Sequence, residues 1–116
     1  MGEWSVIADR VDCYNVGEIK IGSYTTVSQD AVLCSATHDE TLLHFPLVIT
    51  DVTLGDYVWI CAEAFLMPGV KISNGAVIGV RSTVTKDIPE WKIAAGTPCR
   101  VIRDRDIRLD SEPLQK

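Results

Sequence analysis

The sequence predicts an all-β fold, a parallel β-helix in which each coil is built from three six-residue units. Three observations carry that prediction. Leu54, Ile60, Leu66, Ile72, Ile78 and Val84 recur every six residues without a break, although Leu, Ile and Val make up only 32 of the 116 residues. Such a run is a coincidence of roughly three in a thousand after allowing for six phases. Val58, Ala64, Val70, Ala76, Ser82 and Ile88 each follow a leading residue by four. Gly55, Gly69, Gly75 and Gly79 fall around the expected corners, where positive φ or close backbone approach is needed. An amphipathic helix would show apolar residues at three and four, and an ordinary strand at two, so neither yields a bare six. Hairpins would need Asn-Gly or Asp-Gly turns between longer alternating runs, and only Asn74-Gly75 offers one.

Taken in order, the chain reads as one domain over residues 1–116. Ile7 with Val11 and Cys13 with Gly17 make imperfect units, and Ile19 with Ile21 implies a two-residue slip, so residues 7–20 form a partial coil with Trp4 over its end. Residues 21–38 form the first full coil, with Ile21, Val27 and Leu33 leading and Thr25, Ala31 and Thr37 at the small position. The period then stops. Residues 39–53 are an insertion, a loop thrown out of a corner that returns through an extended VITDVT segment. Two further coils occupy 54–89, in which Leu54 stacks under Ile72, Ile60 under Ile78 and Leu66 under Val84. After Pro89 the period is lost, and 90–116 form a cap: Gly96 and Pro98 turn the chain, Val101 and Ile102 cover the last coil, and 103–116 are a short helix or frayed tail.

Charge and cysteines narrow the function. The net charge is -5. Residues 1–80 hold three basic and ten acidic residues, whereas 81–116 hold eight basic and six acidic, so the halves carry -7 and +2. An acidic total argues against nucleic acid as a partner, because phosphate contacts dominate such affinity. The basic C-terminal third suits a small anionic ligand. Cys13, Cys34, Cys61 and Cys99 lie 21, 27 and 38 residues apart with no Cys-x-x-Cys pair, so neither zinc nor a disulfide framework is indicated. Buried thiols in a reducing cytoplasm are the simplest account. No apolar run approaches the length of a membrane span, and the chain reads as soluble with no membrane partner. A stack of so few coils leaves a large lateral face open, which points to oligomerisation.

The run VWICAEAFLMPGVKISNGAVIGVRSTVTKDIP, followed by IAAGTPCRVIR, resembles the hexapeptide-repeat acyltransferases, within them the galactoside, maltose and colanic-acid type acetyltransferases. His38-Asp39 and Phe45-Pro46-Leu47 are similar to their active-site loop, and the likeness covers about residues 12–105. The resemblance implies a left-handed coil, a homotrimer with sites between subunits, and acetyl transfer from acetyl-CoA to a hydroxyl or, less often, an amine. It implies catalysis by His38 and contacts to coenzyme A by Ala62, Val80, Thr85, Lys86, Arg100 and Arg103. It places Asn15, or Asp12, facing the acceptor, and His44 as a substrate contact or lid residue. Cys61 and Arg81 stand where the family more often has glycine, and the N-terminal helical segment common in the family is absent.

Chemically, an alcohol is a poor nucleophile near neutral pH, so direct transfer from an activated thioester needs a base, positioning and donors for the developing oxyanion. Histidine, with an unperturbed pKa of about 6.5, suits proton removal there. Backbone amides near Ala62 would supply the oxyanion donors. The cysteines need no role. The expected acceptor is a small molecule, a carbohydrate first, with an antibiotic or amino-sugar amine as the alternative. A zinc carbonic anhydrase of the same fold would need three histidines, and the chain has two. A non-catalytic scaffold or small-molecule-binding protein is the reading from another class, favoured by Cys61, Arg81 and the missing N-terminal segment.

Overall fold

The computed structural model describes residues 1–108, and among them there are β-strands and no helix, hence none long and apolar enough to cross a membrane. The first coil contains β1 (Val6–Ile7), β2 (Asp12–Tyr14) and β3 (Ile19–Ile21). The second contains β4 (Thr26–Val27) and β5 (Val32–Cys34), is interrupted by β6 (Ala36–His38) and β7 (Leu47–Ile49), and closes with β8 (Val52–Leu54). Next come β9 (Trp59–Ile60), β10 (Phe65–Leu66) and β11 (Lys71–Ile72), then β12 (Val77–Ile78) and β13 (Thr83–Val84). The described chain ends with β14 (Lys92–Ala95) and β15 (Arg100–Asp104).

Equivalent strands of successive coils pair in parallel, giving three sheets: β1, β4, β9, β12 and β14; β2, β5, β10 and β13; β3, β8 and β11. The register follows the six-residue period. Ile7, Val27, Ile60, Ile78 and Ala94 stack on the first sheet. Cys13, Leu33, Leu66 and Val84 stack on the second, and Ile21, Leu54 and Ile72 on the third. From Leu54 to Val84 every leading residue is 2% exposed or less. Each such side chain contributes about 1.5–3 kcal/mol relative to exposure, and this central ladder is the core.

The corners are tight turns. The carbonyls of Cys61, Ser73 and Gly79 accept from the N–H three residues on at 3.2–3.3 Å, and the third residue of each turn has positive φ: Glu63 at 61°, Gly75 at 74° and Arg81 at 57°. That is the type II pattern. Gly55 takes no positive φ; it is required because a Cβ there would lie 2.2 Å from Asn74 Oδ1.

The sequence reading is displaced at both ends of the coil stack and around the excursion. The excursion is a β-hairpin spanning 36–49, with His38 opposite Leu47, instead of a loop over 39–53. Val52 is already back in the sheet, fully buried and paired with Ile19, so it takes the small position expected for Thr37, which is exposed. The two-residue slip lies in the corner after β2, because Ile21 and not Ile19 faces Leu54. Trp4 covers nothing; it is 76% exposed, and Val6 and Ile7 behind it are exposed too. At the other end the period shortens once and resumes. Ile88, four residues after Val84, bridges to Ile72, and Ala94, six later, is buried over Ile78. Val101 and Ile102 do not cap the coil, since β15 pairs at the edge of β14 and leaves both exposed. Residues 103 and 104 belong to that strand, 105–108 have no regular structure, and the remainder of the expected helix or tail lies outside the described residues.

Candidate active site

The prism has three edges, and the expected site residues divide between two of them. Ala62 and Val80 sit on the edge between the first and second sheets, on consecutive coils. Asn15, the hairpin with His38 and His44, and Thr85 and Lys86 sit on the edge between the second and third sheets. Asp12 lies apart from these corners, on the exposed outward row of the second sheet beside Val32. Within one chain these two groups do not converge.

His38 ends β6, where the paired strand β7 holds its backbone. Its Nδ1 lies 2.7 Å from the Phe45 carbonyl oxygen. A carbonyl only accepts, so Nδ1 carries the hydrogen and the neutral ring keeps its lone pair on Nε2. Phe45 adopts φ of 49°, unusual for a bulky residue. The hairpin tip is tied by its own bonds. The Thr41 N–H and hydroxyl both donate to Asp39 Oδ1, and those bonds hold the Asp39 carboxyl below the usual carboxylate range. The Asp39 N–H donates to the Pro46 carbonyl. His44 is exposed in this tip, and Asn15 lies one coil below the hairpin root, where the Ser35 hydroxyl and N–H donate to the Tyr14 carbonyl.

On the opposite edge the turn amides are the notable donors. The second residue of each turn does not donate its N–H to a backbone carbonyl of a neighbouring coil. On the edge between the third and first sheets, side chains fill that need: Ser23 donates to Asp56 Oδ1 and Asp56 to Asn74 Oδ1, both at 2.8 Å. At Asp9, Gln29, Ala62 and Val80 no acceptor of the protein does so among the described residues. Four free N–H groups therefore lie in a column on this edge.

Arg81 stands in this column but is tied back by its ion pair with Glu63 of the coil below, which raises the Arg81 pKa. Arg10 and Asp30 form the same kind of pair lower down, at 2.7 Å and 3.1 Å. Cys61 is buried, and burial pushes its thiol up, as it does for Cys13 and Cys99. Thr85 and Lys86 are exposed. A bulge in the β14–β15 pairing sets Arg103 opposite Ile93 and Arg100 opposite Ala95, alternate residues of one strand, so both arginines share a face. No His, Cys, Asp and Glu side chains gather into a group able to hold a metal among the described residues.

Sequence reasoning missed Gln29, Phe45, Glu63 and the bulge. The period alone could have found two of these: Gln29 holds the second position of its turn, as Ala62 does, and Glu63 the third, as Asp30 and Arg81 do. Nothing in the sequence marks the positive φ of Phe45.

This chain, with its stacked parallel coils, its column of open turn amides and its histidine-bearing hairpin at the one long break among the described residues, is similar to proteins named as acetyl- or acyltransferases. The protein WcaF of Escherichia coli K12, which carries the name of a colanic acid biosynthesis acetyltransferase, is 37% identical over 105 residues, 90% of this chain and 58% of that protein. AntD, an N-acyltransferase from Bacillus cereus solved as a point mutant with dTDP-4-amino-4,6-dideoxyglucose and coenzyme A, superposes with a TM-score of 0.81 at 25% identity, over 90% of this chain and 62% of AntD. A maltose O-acetyltransferase from Clostridium difficile 630 superposes with a TM-score of 0.72 at 27% identity, over 92% of this chain and 70% of the other. No protein-family model matches the chain. Over nine-tenths of its length the chain is thus similar to proteins named as acetyltransferases, and it spans a little over half the length of WcaF.

Proposed function

We propose that this protein transfers an acetyl group from acetyl-CoA to a hydroxyl of a carbohydrate, with His38 as general base, at sites formed between subunits of a homotrimer of left-handed coils. The observation that carries the reading is the bond between His38 Nδ1 and the Phe45 carbonyl, which leaves Nε2 free to take a proton. Coenzyme A fits the donor chemistry of the edges. The thioester supplies an activated acyl group when bound. Ala62 and Val80 would offer their open N–H groups to the acyl oxygen and the amides of the pantetheine arm. Thr85 and Lys86, on the hairpin's edge, would meet the same arm from the neighbouring subunit, and Arg100 and Arg103, on one face of β15, suit the phosphates.

The residues then divide the work. His38 removes the acceptor's hydroxyl proton and returns it to the departing thiolate. The amides at Ala62 stabilise charge developing on the acyl oxygen, where losing one such donor typically costs about a hundred- to a thousand-fold in rate. Asn15 or Asp12, with His44, would orient the acceptor. The cysteines stay outside the chemistry, and four free thiols support a reducing compartment such as the cytoplasm.

An amine acceptor is the second reading, supported by the likeness to AntD, an N-acyltransferase. The test uses free-thiol release with acetyl-CoA and matched pairs of sugars and amino sugars. Millimolar acetyl-CoA is expected to raise the melting temperature, and His38→Ala to lower release by about a hundred- to ten-thousand-fold with that shift retained. An unchanged melting temperature removes the coenzyme assignment, and full release by the variant removes the base.

A further inference from the structure

We propose that the third edge of the prism is a separate ligand site that takes one pyranose ring bearing an acidic group. Tyr24 and Tyr57 occupy equivalent turn positions there, both with positive φ, and their rings stack 5.0 Å apart at 5°. The next coil has Gly75 at this position, where a Cβ would lie 2.2 Å from the Trp91 ring. The missing side chain lets Trp91 settle against the edge, 6.3 Å from Tyr57. After β15 the chain returns to the same place. The Arg105 N–H donates to the Trp91 carbonyl, and Arg105 Nη1 donates to the carbonyls of Tyr57 at 2.7 Å and Gly75 at 2.9 Å. Its guanidinium also lies 5.6 Å from the Trp91 ring centroid.

A recess of about 240 Å³ opens beside this column, lined by Tyr24, Thr26, Tyr57, Val58, Trp59 and Arg105. Three features choose the occupant. The volume is below the roughly 300–1,000 Å³ of pockets that enclose drug-sized ligands, so it holds one ring and a substituent. Tyr24, Tyr57 and Trp59 are each about half exposed and present rigid apolar surface; the tyrosines add hydroxyl tips, the Trp59 indole N–H donates to Ser28 Oγ at 2.9 Å, and Thr26 beside them is exposed. A pyranose, with an apolar face and a rim of hydroxyls, matches that lining. Arg105 is fixed by two carbonyls, has no carboxylate within ion-pair distance among the described residues, and keeps Nε and Nη2 as donors. A positioned guanidinium with spare donors selects a carboxylate or phosphate. The edge differs from those carrying His38 and Ala62, so the site does not rest on the acetyltransferase reading.

Calorimetric titration of the full chain with methyl glucuronide, against methyl glucoside and adenosine, tests it. The glucuronide is expected to bind about tenfold or more tighter than either control, the scale of one charge-assisted hydrogen bond. Arg105→Gln should abolish the preference. Because Arg105 also clamps three coils, Thr26→Glu supplies the second arm: it leaves the clamp intact, sets a like charge at the recess, and should cost about tenfold in glucuronide affinity with the acetyl-CoA thermal shift unchanged. Equal affinity for the glucoside, tighter binding of adenosine, no binding at millimolar concentration, or indifference to Thr26→Glu each overturns the proposal.

Discussion

His38 shows how a single residue's chemistry can rest on a neighbour that the sequence does not announce. Its identity and its place at the break in the period were legible, because a repeat of six makes any interruption visible. The Phe45 carbonyl that sets its tautomer was not, since positive φ at a phenylalanine follows from the closed hairpin and not from local propensity. Gly75 is a cleaner case of residue-level necessity. It has φ of 74° and a Trp91 ring where its Cβ would go, so Gly75→Ala is expected to destabilise the fold by about 1–3 kcal/mol, read by urea denaturation. The thiols give a pH dependence of definite sign. Burial raises the pKa of Cys13, Cys61 and Cys99, so the folded chain holds those protons longer than the unfolded one. Their contribution to stability is whole below the ordinary thiol range and is lost as pH rises through the folded values. Denaturation midpoints should therefore fall between neutral pH and about pH 10, and less so in a variant with these cysteines replaced by serine. A midpoint that holds or rises in the parent protein contradicts the sign.

At the scale of elements, the leading and small positions from Leu54 to Val84 could be read directly, because stacking requires the same residue class at each level and the burial follows. The breaks were harder. A slip of two residues preserves the alternation of inward and outward side chains, so the pattern alone does not say on which side of a corner the extra residues lie. The insertion illustrates this. Its length is fixed by Leu33 and Leu54, whose pairings on Leu66 and Ile72 make them consecutive leaders, but its edges are set by Val52 occupying the small position. Deleting residues 37–51 should therefore close the repeat as Leu33-Cys34-Ser35-Ala36-Val52-Thr53-Leu54, with Ala36 at the positive-φ turn position. Made together with Ala36→Gly, which relieves that strain, the deletion is expected to keep the far-ultraviolet β spectrum and cooperative unfolding and to abolish acetyl transfer. Loss of the β spectrum would mean that the hairpin is part of the solenoid's stability and not an appendage to it.

The whole molecule poses a question that neither residue nor element answers. One chain carries the open amides of Ala62 and Val80 on one edge of its prism and the His38 hairpin on another. A ligand that needs both is served if a neighbouring copy turns its amide edge toward the hairpin, an arrangement that cyclic symmetry repeats around a ring. Two substitutions separate the alternatives. His38→Ala removes the proposed base. Ala62→Pro removes a single N–H, and the fold tolerates it because Pro68 already occupies the equivalent turn position one unit later, with Gly69 after it at φ of 86°. Each variant alone should lose acetyl transfer. Unfolded together in equal amounts and refolded, they recover activity only if His38 and Ala62 act from different copies, since a random trimer then joins an intact hairpin to an intact amide edge at about one site in four. The expected recovery is thus about a quarter of the parent activity, measured as thiol release per subunit. If both groups act from the same copy, every site carries one lesion and no activity returns.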